Sequence, residues 1–173
     1  MPDTRPSREV FLNPGEWFFG SGEIRLRTVL GSCVALVFWH PQRLLGGMCH
    51  YLLPQRAVVS AKGLDGRYGD EALQLLLGAM RGCNVPPTEF RISVYGGGNM
   101  FPGLVRPDNH YVGQRNVEQA RRLLALHQLQ CHTLHVEGVG YRTVVFDLAS
   151  GAVQLNYLAL QRPLSSPQGA RTT

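Results

Sequence analysis

The feature that most constrains the fold is a short apolar run, VALVFW, at residues 34–39. The run contains no polar alternation and is followed by His40 and Pro41. A strand with one face in water alternates polar and apolar side chains, so an unbroken run of this length predicts a β-strand covered on both faces.

Five further segments have the pattern of strands: residues 47–53, 89–95, 132–137, 141–147 and 152–158. Pro54 ends the first of these. In EFRISVY, at 89–95, Phe90, Ile92 and Val94 fall on one face. The sequence LASGA between the last two segments is a hairpin signal.

Two segments have the spacing of amphipathic helices. In the first, Asp70 is the predicted N-cap, and the apolar face consists of Leu73, Leu76, Leu77 and Met80. In the second, QRNVEQARRLLALHQLQ, Asn116 followed by Gln119 resembles a capping arrangement, and the buried stripe consists of Val117, Ala120 and Leu124. Six strands and two helices predict an α/β sandwich of β-sheet and helix layers.

Length and composition predict a single domain over residues 9–161. The chain has 173 residues, of which 44% are hydrophobic, enough to fill one core. Residues 1–8 and the Pro- and Ser-rich residues 162–173 are expected to be flexible tails. No apolar stretch is long enough for a transmembrane helix, and MPDTRPSREVF lacks the apolar core of a secretory signal, so we expect a cytoplasmic protein with no membrane insertion.

The net charge indicates which class of partner to expect, and the cysteine content indicates the redox state of the thiols. The net charge of +5 favours an acidic partner. The arginines are scattered and no dense basic cluster is present, so nucleic acid is not an expected partner. In a cytoplasmic chain the four cysteines, Cys33, Cys49, Cys83 and Cys131, are expected to be free thiols.

Cys33 stands at the mouth of the apolar strand, behind Gly31 and Ser32. This small pair allows a tight turn with backbone N–H groups near the sulfur, where they could hold an oxyanion. A partly exposed thiol becomes a nucleophile when an imidazolium or a local dipole favours its thiolate. Cysteine is also among the most buried residue types, so the same pattern fits a packing role.

His50 lies in GGMCHYLLP, 17 residues after Cys33, on the next predicted strand. A hairpin would bring the two side chains together if they share a face, as a Cys–His pair requires. The alternative is a histidine satisfied by backbone groups at a strand edge. Residues 55–68, which follow, are polar and longer than most connections, which is typical of a functional loop.

A metal site is a further alternative. Cys33, Cys49 and His50 are close in sequence, and His132 and His135 follow Cys131. No C-x-x-C or H-x-x-x-H spacing is present, and Cys49 and His50 would face opposite sides of a strand. The glycine run YGGGNMF, at 95–101, lacks the features of a phosphate loop and is predicted to be a flexible exit from a strand.

Taken together, these stretches resemble the CheD family, the chemoreceptor glutamine deamidases of bacterial chemotaxis. The matching pieces occur in order: LGSCVALVFWHP, GGMCHYLLP, RYGDEAL, YGGGNMF, VGQRNVEQARRLL and GYRTVVFDLASGAV. The resemblance implies an α/β sandwich related to toxin-type Cys–His deamidases. It also implies hydrolysis of receptor glutamine side chains to glutamate and ammonia, without cofactor or metal.

The resemblance assigns catalytic roles to Cys33 and His50, and to a threonine just upstream of Gly-Ser-Cys, for which Thr28 is the nearest candidate. Gly31 and Ser32 would support the loop and the oxyanion. The implied partners are the cytoplasmic helices of methyl-accepting chemotaxis receptors and, in some bacteria, a CheC-type phosphatase that binds near Phe101. Two alternatives stay open: a non-catalytic chemotaxis adaptor that binds receptors or such a phosphatase, and a cysteine amidohydrolase or esterase of small substrates.

Overall fold

The computed structural model describes residues 7–104 and 110–161, which form nine β-strands, two α-helices and one short 3-10 helix. The strands are β1 (Arg8–Phe11), β2 (Trp17–Ser21), β3 (Ile24–Leu30), β4 (Val34–His40), β5 (Leu45–Tyr51), β6 (Arg91–Gly96), β7 (Cys131–Val136), β8 (Gly140–Asp147) and β9 (Val153–Ala159). The helices are α1 (Gly69–Gly82) and α2 (Val112–Leu126), and the 3-10 helix spans Pro87–Glu89.

The strands form two sheets in a three-layer α/β sandwich. One sheet has the order β1-β3-β8-β9 and the other β2-β5-β4-β6-β7. Val34, Leu36 and Phe38 of β4 lie in the core beneath the two helices, and Ala35 and Val37 lie in the core between the sheets. The predicted strand with two covered faces is therefore confirmed, because β4 stands at the centre of the middle layer.

The predicted apolar faces of both helices are confirmed. The buried residues are Leu73, Leu76, Leu77 and Met80 of α1, and Val117, Ala120 and Leu124 of α2. The hairpin between β8 and β9 is also present, with antiparallel pairing from Gly140–Ala159 to Phe146–Val153.

Both predicted helix starts are wrong. Helix α1 begins at Gly69, after Tyr68 in extended conformation. The N–H groups of Gly69 and Asp70 donate to the carbonyls of Leu53 and Pro54, at 2.9 and 3.3 Å, so backbone acceptors replace the predicted Asp70 cap. Helix α2 begins at Val112, and Asn116 lies inside it, fully buried.

In the sheet of β1, β3, β8 and β9, the strands β1 and β3 were not predicted from the sequence. In β3, Leu26, Thr28 and Leu30 are buried, whereas Arg25 and Arg27 are exposed. This alternation is the signal that could have found the strand. Arg8 pairs with Ile24, so the sheet begins within the predicted N-terminal tail. Residues 1–6 and 162–173 lie outside the described residues, and the single-domain interpretation stays a prediction.

The connection formed by residues 55–68 is tied to α1 by an ionic network. The Glu71 carboxylate accepts hydrogen bonds from Arg56 Nε at 2.6 Å, from Arg56 Nη2 at 2.7 Å and from the Asp65 N–H at 2.6 Å. Such a two-point Arg–carboxylate contact fixes orientation as well as charge. Within the part of the chain that the structure describes, no helix is long and apolar enough to cross a membrane.

Candidate active site

The loop between β3 and β4, residues 31–33, is held by its carbonyl groups. The Gly97 N–H donates to the Cys33 carbonyl and the Gly98 N–H donates to the Gly31 carbonyl, both at 2.8 Å. The Ser32 carbonyl accepts a hydrogen bond from Asn116 Nδ2 at 3.0 Å. All three residues around the thiol are therefore anchored to other elements.

The glycine run is a tightly packed turn, so the prediction of a flexible strand exit is wrong. Gly96 and Gly97 have φ angles of +110° and +67°, in the region that favours glycine. A Cβ on Gly96 would lie 2.2 Å from the Cys33 carbonyl oxygen, and one on Gly97 would lie 2.3 Å from Val117 Cγ2. The run lacks side chains because the Cys33 loop and α2 pack directly on its backbone.

Gly97→Ala is expected to lower the free energy of unfolding by about 2–4 kcal/mol, since strain at positive φ and overpacking add together. Urea denaturation of wild type and variant measures the loss. Gly82→Ala is the control, because a Cβ at that helical position meets nothing within 4 Å. Equal stability of Gly97→Ala and wild type would show that the turn is not packed as described.

Cys33 and His50 share the face of the middle sheet that looks toward the four-stranded sheet. His50 of β5 stands opposite Ala35 of β4, and Cys33 lies two residues before Ala35. Cys33 is partly buried against the inter-sheet core to which Ala35 belongs. Cys49 faces the other way, into the core beneath the helices. The predicted opposition of Cys49 and His50 is confirmed, and Cys49 has a packing role.

Thr28 of β3 reaches across from the other sheet to orient the imidazole. Its hydroxyl oxygen lies 2.7 Å from His50 Nδ1 and 2.7 Å from the Leu12 carbonyl oxygen. The carbonyl can only accept, so the threonine hydroxyl donates to Leu12 and accepts the Nδ1–H of His50. This network assigns the lone pair of the neutral ring to Nε2. Nε2 is buried and has no hydrogen-bond partner among the described residues, Cys33 included.

A turn after β1 positions the Leu12 carbonyl within this hydrogen-bond network. In the sequence NPGE, Pro14 and Gly15 occupy the central positions, Gly15 has a φ of +89°, and the Glu16 N–H donates to the Asn13 carbonyl at 2.9 Å. This is the residue pattern of a type II turn. The turn is fixed to β5, because Gly15 N–H donates to the His50 carbonyl at 2.7 Å and His50 N–H donates to the Glu16 carbonyl at 3.1 Å.

Burial keeps both members of the resting pair neutral. Desolvation lowers the pKa of His50 below 6.5, against the raising effects of the Leu12 carbonyl and the Glu16 charge. Desolvation also raises the pKa of Cys33 above 9.0, with its own backbone N–H acting in the opposite direction. These directions oppose a resting thiolate–imidazolium pair and favour the neutral forms of both groups. Full burial raises the pKa of Cys49 to about 12, consistent with an inert thiol.

His50 is expected to make folding stability depend on pH. Because its pKa is lower in the folded protein, the unfolded chain binds the proton first as the pH falls. The contribution of neutral His50 is present above its ordinary pKa of 6.5 and is lost as the pH falls through the lowered pKa. Urea denaturation between about pH 8 and about pH 5 should show a steeper loss for wild type than for His50→Gln. Parallel profiles would contradict a neutral buried imidazole.

The side chains considered for a metal site do not form a cluster among the described residues. Among residues 7–104 and 110–161, no three His, Cys, Asp or Glu side chains are placed to hold a metal ion. The ring nitrogen Nδ1 of His132 accepts the Ile92 N–H at 3.1 Å, and Nδ1 of His135 accepts Arg142 Nε–H at 2.8 Å.

A cleft of about 320 Å³ opens beside the Cys33 loop. Ser32 and Gly98 form its wall on the loop side, and Met100, Phe101 and Tyr111 are among its other lining residues. Phe101 is 65% exposed.

The fold and site define a mixed α/β protein with a cysteine and a threonine-bound histidine on one sheet face. The family model described as CheD chemotactic sensory transduction matches residues 52–157. The chain therefore belongs to the CheD family, which confirms the resemblance.

Curated relatives extend the likeness beyond that range. The probable chemoreceptor glutamine deamidase CheD 1 of Chromobacterium violaceum is 44% identical over 153 residues, which cover 88% of this chain and 79% of that protein. The probable chemoreceptor glutamine deamidase CheD of Pseudomonas syringae pv. tomato is 41% identical over 154 residues, 88% of this chain and 91% of that protein. The first alignment leaves out only about 21 residues (12% of 173), so Cys33 and His50 lie inside it.

Proposed function

We propose that this protein is a chemoreceptor glutamine deamidase that uses Cys33 as nucleophile and His50 as acid–base catalyst. The observation that carries the proposal is the hydrogen bond between Thr28 and His50 Nδ1, which leaves the imidazole lone pair on Nε2, on the sheet face shared with Cys33. The names of the curated relatives support the same substrate class.

The first half of the reaction forms a thioester. His50 Nε2 takes the Cys33 proton as the sulfur attacks the carboxamide carbon of a glutamine side chain. The carbonyl oxygen becomes an oxyanion, for which the Cys33 N–H is the proposed donor, with Gly31 and Ser32 keeping the loop in place. The C–N bond breaks as the protonated His50 gives its proton to the departing ammonia.

The second half restores the enzyme. His50 takes a proton from water, the water oxygen attacks the thioester carbon, and the C–S bond breaks to release glutamate. The sulfur regains its proton from His50. The net reaction is glutamine plus water to glutamate plus ammonia, and all transferred protons pass through one imidazole. No cofactor or metal ion takes part in this scheme.

The substrate would be the cytoplasmic helices of methyl-accepting receptors, so the enzyme would act in the cytoplasm. The net charge of +5 favours approach to acidic helices. Each deamidation adds one negative charge, which can shift a two-state signalling equilibrium. We propose that the exposed Phe101 at the cleft binds either receptor or a CheC-type phosphatase.

Mass spectrometry of a purified receptor cytoplasmic fragment tests the proposal. Incubation with the protein is expected to add about one mass unit at particular glutamines, as amide hydrolysis through a thioester requires. The control is the same incubation with protein alkylated at Cys33. No mass change on any receptor from the same cell, with folded protein, would contradict the proposed function.

A further inference from the structure

Asn116 connects the two chain segments that carry Cys33 and His50. Asn116 lies in the middle of the α2 sequence, and its side chain is fully buried. The amide Nδ2 donates to the Ser32 carbonyl at 3.0 Å and to the Leu52 carbonyl at 2.8 Å. Ser32 immediately precedes Cys33, and Leu52 comes two residues after His50. A single amide group thus holds the thiol loop against the end of the histidine strand.

The orientation of this amide is fixed by its acceptors. Asn116 Oδ1 is buried and has no hydrogen-bond partner among the described residues. Turning the amide over would place that oxygen against two carbonyl oxygens, so both available protons stay on the Ser32 and Leu52 side. Leaving a buried acceptor unsatisfied costs free energy, which indicates that the two donated bonds determine the arrangement.

Helix α2, which carries Asn116, packs closely against the elements around Cys33 and His50. The Tyr51 hydroxyl donates a short hydrogen bond to the Asn116 backbone carbonyl, at 2.5 Å. At the start of α2, a Cβ on Gly113 would lie 2.5 Å from the carbonyl oxygens of both Gly97 and Gly98. Gly97 and Gly98 also hold the Cys33 loop, so α2 and the loop pack on the same turn.

We propose that Asn116 is a positioning residue that sets the separation of the Cys33 thiol from His50 Nε2. The inference rests on the proposed cysteine–histidine chemistry. In the resting structure the two groups are not hydrogen bonded, so proton transfer depends on how closely the loop and the strand can approach. Loss of the Asn116 amide would release Ser32 from Leu52 and slow proton transfer. The position of Phe101 on the cleft rim would not change.

Gln119 is the matched control. It lies one turn further along α2, is also buried, and donates Nε2 to the Pro54 carbonyl at 3.1 Å. Gln119→Ala removes an amide-to-carbonyl bond between α2 and the chain after β5, as Asn116→Ala does. It leaves the bond to Ser32 in place.

The test is alkylation of Cys33 by iodoacetamide, followed by peptide mass spectrometry, together with steady-state deamidation of the receptor fragment. Asn116→Asp keeps the shape of the side chain and removes the donors, and Asn116→Ala serves where the aspartate does not fold. Both are expected to slow alkylation near neutral pH by about tenfold or more, as misplacement of a proton acceptor does. The kcat should fall by a similar factor with KM unchanged, and Gln119→Ala should stay within about twofold of wild type.

A double variant separates positioning from general packing. In the His50→Gln background, Asn116→Ala should have little further effect, because the two substitutions remove the same step. Unchanged or faster alkylation in the Asn116 variants would overturn the proposal, as would equal slowing by Gln119→Ala or a full additional effect in the double variant. Failure of both Asn116 variants to unfold cooperatively would also overturn it, because Asn116 would then be needed for folding itself.

The same data distinguish this inference from the proposed function. If His50→Gln and the Asn116 variants slow alkylation but wild type deamidates no receptor, the substrate proposal fails and the positioning role stands. If His50→Gln slows alkylation but the Asn116 variants leave it unchanged, the positioning proposal fails and the proposed function stands. If His50→Gln alkylates as fast as wild type, both proposals fall.

Discussion

Cys33→Ala is expected to abolish receptor deamidation, with a loss of at least about 10⁴-fold in kcat/KM. A carboxamide is a weak electrophile with a poor leaving group, so the reaction depends on a nucleophile held against the carbonyl carbon. The other thiol on the same strand pair, Cys49, faces the opposite core and cannot replace it. The measurement is the rate of mass gain at the modified glutamines.

Cys83→Ala is the matched control for this substitution, because Cys83 is an exposed thiol just after α1. It should retain wild-type activity and the same iodoacetamide labelling of Cys33. Both variants should unfold at temperatures close to that of wild type, because Cys33 is only partly buried and Cys83 is exposed. Substantial deamidation by folded Cys33→Ala would remove Cys33 as the nucleophile.

Most of the middle sheet and both helices could be predicted, because the pattern of their apolar side chains fits one kind of secondary structure. VALVFW is an unbroken apolar run, EFRISVY alternates, and the two helical stripes have helical spacing. The apolar residues of all four segments lie in or against the core. The strand β3 was missed although Leu26, Thr28 and Leu30 alternate with exposed arginines. Short strands such as β1 have too few residues for a period to stand out.

The contacts that build the site could be predicted only in part. The hairpin that places Cys33 and His50 on one face could be expected from their spacing, whereas their catalytic roles were implied only by the family resemblance. The roles of the glycine turn and Asn116 depend on elements that are far apart in sequence but packed backbone to backbone. Asn116 followed by Gln119 has the local pattern of a helix start, and only the tertiary structure shows that the Asn116 amide lies inside the helix and donates to Ser32 and Leu52.

The direction of the Cys33 pKa also required the structure. The sequence is compatible with a thiolate favoured by a neighbouring imidazolium, whereas burial between two sheets favours the neutral forms of both groups. If Cys33 is the nucleophile, as we propose, His50 would have to take its proton in the chemical step itself. This makes the histidine substitution more informative than it would be for a preformed ion pair.

His50→Gln is expected to lower kcat by about 10²–10⁴-fold, the usual contribution of a positioned acid–base group. The glutamine amide keeps a polar side chain near Thr28 but cannot take a proton from Cys33. Iodoacetamide labelling of Cys33 in this variant should become slow near neutral pH and rise continuously with pH, following the free thiolate. In wild type, labelling should fall on the acid side as His50 becomes protonated.

Substitutions at Thr28 refine this result. Thr28→Val removes the acceptor of the Nδ1–H and leaves only the Leu12 carbonyl, 3.3 Å from Nδ1. The imidazole would lose its fixed tautomer, so kcat should fall by about tenfold or more, and Thr28→Ser should restore it because the hydroxyl returns. Activity of Thr28→Val equal to wild type would show that Leu12 alone orients the ring. Activity of His50→Gln equal to wild type would show that Cys33 loses its proton directly to water.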